Sequence, residues 1–286
     1  TTAQVAALTS SQLVALDVSQ VQALTTAQVA AIETNDIARM ETADIAGLTT
    51  TQVAALTSLQ VGALTTDQIR NMDVEDVAAL TTRALDGLST AQVVALTTDQ
   101  ISALTTTQLL SMNSAQLAAI ETQDLFAMTT SQFAGLTSTQ VAAFTTQQIR
   151  AIEVDDVAVL TTAALIGLTS TQVAALSTNQ IQALTSTQLT SLRSSQIGAL
   201  TTDQIRNLDV ADVATLTTAQ IIGLTTSQLV ALTTDQVQAL TTAQVSSLTS
   251  VQVPSLTSAQ IQNLESNDLA ALTTAQIAAL TSSQLV

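Results

Sequence analysis

The sequence predicts an all-α fold: a solenoid of tandem eight-residue short-helix repeats. Three observations carry that expectation. A period of eight runs through the chain, a helix-capping motif sits inside each period, and glycine, proline and aromatic residues are scarce. Stepping by eight from Leu8 to Leu280 meets 35 large apolar residues, 27 of them Leu. The same step from Val5 to Leu285 meets 36 residues that are all Val, Ile, Leu or Phe. From Gln4 to Gln284 it meets 27 Gln, seven Asp and two Ala. The unit is L-T-T-x-Q-V-A-A, and no insertion or deletion breaks its register. Residues 1–286 therefore read as one continuous octapeptide-repeat solenoid. Both ends are in register with the interior, as expected of a fragment of a longer array.

Each position in the octad has a reason. With the Leu numbered 0, Thr at 1 and Gln at 4 form a capping box. The hydroxyl accepts from the backbone N–H at position 4, and the Gln side chain reaches back to the cap's own N–H. Leu at 0 and Val at 5 are the two halves of a hydrophobic staple across the same helix start. Ala, the best helix former, follows commonly at 6 and 7. The next Leu lies three residues beyond Val, on the same helical face. Each octad thus reads as a helix of about one and a half turns, re-capped by the next Thr. One continuous helix is a poor rival, because eight residues overshoot two turns by about 80° and the apolar stripe would wind around the axis. A β-solenoid is the stronger alternative, since Thr, Val and Ile favour strands. Against it stand the Ala pairs, only seven Gly and caps that have no meaning in a strand. A single octad buries too little apolar surface to offset the entropy of ordering it, so stability must come from stacking on neighbours.

Composition narrows function by subtraction. The chain has no His, Cys, Trp or Tyr, and its six basic residues are all Arg. Missing His and Cys remove the usual zinc and copper ligands and the commonest general base near neutral pH. Missing Lys removes Schiff-base chemistry. The expectation is that the chain is not an enzyme and carries no cofactor. A net charge of −16 opposes binding to phosphate backbones, so no nucleic-acid partner is expected. Polar residues interrupt every few positions, so membrane insertion is not expected either.

The stretch "LTTDQIRNMDVEDVAALTT" (64–82) raises the one chemical question. Asp replaces Gln at position 4 seven times: Asp36, Asp44, Asp76, Asp124, Asp156, Asp212 and Asp268. In all seven octads position 1 is acidic too: Glu33, Glu41, Asp73, Glu121, Glu153, Asp209 and Glu265. Such coupling implies that the two positions touch. The leading reading makes them acidic caps at helix N-termini. Arg39, Arg70, Arg150 and Arg206, two or three residues earlier, are placed to neutralise them. The alternative is that carboxylates gather a hard cation such as Ca²⁺, which wants several oxygens. The candidates for that are Asp73, Asp76, Glu153, Asp156, Asp209 and Asp212. Catalysis by paired carboxylates lacks any companion group that could orient a substrate.

Other departures read as packing. Gly47, Gly87, Gly135, Gly167 and Gly223 precede the repeated Leu, where a helix end can require positive φ. Pro254, at position 6, is expected to bend one unit. Phe126, Phe133 and Phe144 suggest a local enlargement of the core, and Ala84 and Ala164 local packing. The block 64–88 recurs at 144–168 and 200–224, ten and then seven octads further on, which points to tandem duplication.

The phrases Leu240–Val245 (LTTAQV) and Leu232–Val237 (LTTDQV) resemble octapeptide arrays of very large bacterial secreted or surface proteins, the haemagglutinin-like or RTX-like adhesins. That resemblance implies an extracellular or cell-surface location and a role as stalk, spacer or filament protomer. End-to-end self-association fits that role. The alternative it leaves open is an adhesin-type binding module using the Thr/Gln/acidic face, calcium-dependent or glycan-bearing. "STAQVVALTT" (89–98) superficially resembles the start of TAL-effector repeats, but no base-reading pair is present and the charge has the wrong sign.

Overall fold

The computed structural model describes residues 1–285. Among them are 34 α-helices of four to six residues and one 3₁₀ helix, Val253–Ser255, with no strand. The chain divides into two compact units, Thr1–Ala151 and Ile152–Val286, and each is built the same way.

The helix starts follow the octad. In the unit around residue 65, Leu64 (φ −58°, ψ 144°) and Thr65 (φ −74°, ψ 160°) are extended, and the helix Thr66–Arg70 begins at once. Thr65 Oγ1 accepts from the Gln68 backbone N–H at 3.1 Å, and Gln68 Oε1 accepts from the Thr65 N–H at 2.7 Å. This reciprocal box recurs along the chain, as at Thr97–Gln100 and Thr225–Gln228. Two extended residues redirect the chain at every eighth position, so the helices stay short.

Position 5 fills the centre of each unit. Val53, Val61, Ile69, Val173, Ile205 and Leu229 are all 0% exposed. Position 0 packs just outside this row, as with Leu64 and Leu200 at 4%. Helices three apart in sequence touch, as Val74–Ala79 does with Thr98–Ala103 and Thr202–Arg206 with Thr226–Ala231.

Turns are fixed by Gln at position 4. Beyond its cap bond, the buried Gln side chain donates Nε2–H to carbonyls of the preceding turn. Gln100 reaches Ile69 O at 3.0 Å and Met72 O at 2.7 Å, separations of 31 and 28 residues. Gln228 repeats this on Ile197 and Leu200 at 3.0 and 2.7 Å. Inter-turn bonds spanning 25 to 31 residues, with helices three apart in contact, place between three and four octads in each turn. Buried amide and carbonyl groups are thereby satisfied, as a close-packed stack requires.

Several departures differ from the expectation. Among the described residues no glycine has positive φ. The glycines instead permit close approach between turns: a Cβ on Gly87 would collide with Ser58 O, and one on Gly62 would lie 2.8 Å from Gly87 O. Gly198 and Gly223 repeat that pairing, at 2.6 Å from a Gly198 Cβ to Gly223 O. Phe133 and Phe144 are buried, but Phe126, at position 6, is 55% exposed and takes no part in the core. Ala84 and Ala164 are buried and keep only half of the box, each donating its N–H to the Thr hydroxyl at 3.1 Å. Pro254 turns its unit into the 3₁₀ helix without losing register, since Gln252 still donates to Ile221 O and Leu224 O.

Candidate functional site

The acid-paired octads are where the chain departs from its own wiring. All seven position-4 Asp residues are buried, from 2% exposed at Asp124 and Asp268 to 8% at Asp36 and Asp212. The same backbone path that buries Gln elsewhere carries them inward. A carboxylate lacks the two N–H donors that Gln offers the previous turn. At Asp36, Asp124, Asp212 and Asp268 it accepts instead, from a hydroxyl at position 2 of the turn before. Thr98 Oγ1 donates to Asp124 at 2.9 Å, Ser186 Oγ to Asp212 at 2.7 Å and Thr242 Oγ1 to Asp268 at 2.8 Å. Ser10 donates to Asp36 in the same way.

The position-1 acids are not caps. Glu33, Glu41, Asp73, Glu121, Glu153, Asp209 and Glu265 occupy N-cap positions in extended conformation, yet none makes a side-chain cap hydrogen bond. Asp17 shows that an acid can: paired with Gln20 instead of Asp, it accepts from the Gln20 N–H at 2.9 Å. The difference is electrostatic, because a second carboxylate at position 4 repels the first. Nor do the arginines neutralise the pairs that follow them. Arg70 lies 3.8 Å from Asp67 and Arg206 3.9 Å from Asp203, both exposed pairs within one short helix. Arg193, itself at an N-cap, donates to Ile166 O.

The sequence candidates thus split by position. Asp73, Glu153 and Asp209 are exposed at helix starts, whereas Asp76, Asp156 and Asp212 are buried. No cluster of three or more His, Cys, Asp or Glu side chains able to hold a metal ion is found among the described residues. Burial, then the charges of Asp73 and Glu75, push the Asp76 carboxyl up to about 6. Burial likewise raises Asp124, against the Thr98 hydrogen bond and with help from Glu121. At Asp44 burial and Glu41 raise it, the Glu41 backbone N–H lowers it, and Asp17 adds a further push upward. Val18 stands where a hydroxyl would serve Asp44, and the buried Asp44 Oδ2 is without a partner. Asp268 Oδ2 is orphaned as well.

Two open grooves lie near one such pair. One, of 490 Å³, is lined by Val94, Glu121, Gln123 and Thr145 among others, and the second, of 280 Å³, by Arg70, Thr98, Glu121 and Asp124. Arg70 therefore shares a surface with the acid pair of a later turn.

The amide link was the residue role that the repeat pattern hid. A capping box accepts Glu or Gln at its fourth place, yet position 4 holds no Glu in the whole chain. That exclusion is the signal: only Gln can serve the box through Oε1 and donate through Nε2 at once.

Short re-capped helices, locked across turns by a buried amide, define an α-solenoid built on an octapeptide. The ALTTAQ repeat model matches residues 1–34, 29–66, 37–74, 69–106, 117–152, 149–186, 181–210, 205–242 and 261–286, and the chain belongs to this repeat family. No curated protein matches it. The stretch between the last two matches, 243–260, contains Pro254 and its 3₁₀ turn.

Proposed function

We propose that the chain is a non-enzymatic structural repeat, a spacer or stalk segment of a large extracellular bacterial protein or the protomer of a filament. The supporting observation is where its polar groups go. The Thr hydroxyls and Gln amides that define the repeat are committed to caps and to the next turn, as with Thr225, Gln228, Ile197 and Leu200. What remains outward is mostly a repetitive ridge of Thr, Ser and Ala, interrupted by acids and by apolar side chains such as Leu59, Phe126 and Val251. The face that most octads offer the next turn is the same, which supports end-to-end joining of arrays. Beyond the first four octads the position-4 Gln and Asp are buried, so a binding role would rest on the exposed position-2 residues such as Thr226 and on the exposed position-1 acids.

Negative-stain images of the purified chain test this. Isolated rods are expected for a stalk and long polymers for a filament protomer; compact particles without a long axis would overturn both. Antibody labelling of intact producing bacteria tests location, with labelling at the cell surface expected and labelling only after lysis contradicting it.

A further inference from the structure

Seven octads give up the amide link, and in every one a second acid appears three residues earlier, exposed and making no cap bond. A residue recruited for capping would cap, as Asp17 does. Among the described residues no group of three or more acidic side chains is placed to hold a metal ion. What the buried Asp44 lacks is a partner for one oxygen, and a proton is the smallest cation that supplies it.

We propose that the octads of Asp44, Asp76 and Asp124 are proton-operated seams of the solenoid, in which acidification neutralises the buried Asp and tightens its turn against the one before. The exposed acid beside it supplies the negative field that holds the proton. Oδ1 of the Asp stays the acceptor of the position-2 hydroxyl, as Thr98 shows at Asp124, and the proton sits on the other oxygen. The surrounding charges fit this assignment. Asp44 faces Glu41 and Asp17, and the helix Thr66–Arg70 packed on its own brings Asp67 and Arg70, which pair with each other. Asp76 faces Asp73 and Glu75, and of the two helices packed on its own, Thr50–Val53 carries no charge and Thr98–Ala103 adds Asp99. Asp124 faces Glu121, with Arg70 across the groove, Asp99 on the packed helix Thr98–Ala103 and Arg150 on the packed helix Thr146–Ala151.

The sign follows from the direction of the shifts. A carboxyl held above its ordinary value favours the folded chain while protonated, so its contribution is full below about 4 and lost as pH rises through its folded value, about 6 at Asp76. The experiment compares thermal melting of the intact chain at pH 4.5 and 7 with that of Asp73→Thr/Asp76→Gln, which rebuilds an ordinary octad, and of Glu41→Gln. The double variant is expected to melt higher than the parent at pH 7 and to show a smaller difference between the two pH values. Glu41→Gln, at a position that makes no cap bond, is expected to keep the fold at pH 4.5 and shift the loss of stability to lower pH. Parallel pH profiles for the parent and both variants would overturn the proposal. So would recovery at pH 7 on adding calcium, which would make a metal ion, not a proton, the missing partner.

Discussion

Gln228 shows what one side chain does in this chain. Its Oε1 closes the cap on Thr225 and its Nε2 holds two carbonyls of the previous turn. Replacing it with Glu keeps the first role and destroys the second, leaving a buried carboxylate against carbonyl oxygens. Gln228→Glu is expected to cost about 2–4 kcal/mol at neutral pH, less in acid where the Glu neutralises, as urea unfolding would report. Thr225→Ala removes only the cap hydroxyl and should cost about 1 kcal/mol. The sequence made the cap legible because its two partners belong to the same octad. It hid the second role because the carbonyls that Gln228 reaches, 28 and 31 residues away, become visible only once the pitch is known. The acid pairs were legible as touching positions, but not as uncapped ones. That needed the position-2 hydroxyl of another turn, such as Thr98 for Asp124.

Each helix is too short to persist alone, and isolated helices below about 12 residues are marginal in water. In interior octads position 5 is buried on all sides by neighbouring turns, and that burial supports the helix. Where turns approach most closely, glycine replaces the usual Ala. The sequence assigned Gly87 and Gly223 to helix ends by their place before Leu, and the true reason, Ser58 O and Ser194 O, lies in the preceding turn. Gly87→Ala should therefore destabilise by about 1–3 kcal/mol, because backbone must move. Gly135→Ala meets the Thr106 methyl, the movable end of a side chain, and should cost less in the same unfolding series. Phe126 misled for a related reason: being aromatic placed it in the core, but position 6 faces outward, as Val94, Ile222 and Val230 also do.

At the level of the whole chain, the period of eight dictated an all-helical stack over its β rival, because caps and Ala pairs agree on helix. The number of octads per turn was not legible, since the octad specifies a bend but not the angle through which successive bends accumulate. Between three and four octads per turn follow from the Gln bonds and the helix contacts. If the acid pairs act through protons and not metal, calcium or EDTA at neutral pH should leave the melting temperature unchanged, as differential scanning fluorimetry can check. The most direct test of the stack is hydrogen exchange of the Gln side-chain amides in a ¹⁵N-Gln-labelled sample. The position-4 amides of interior octads, Gln100 and Gln228 among them, should form a slowly exchanging population, and exposed Gln4, Gln12 and Gln20 a fast one. A single population exchanging at the rate of free Gln would contradict the account.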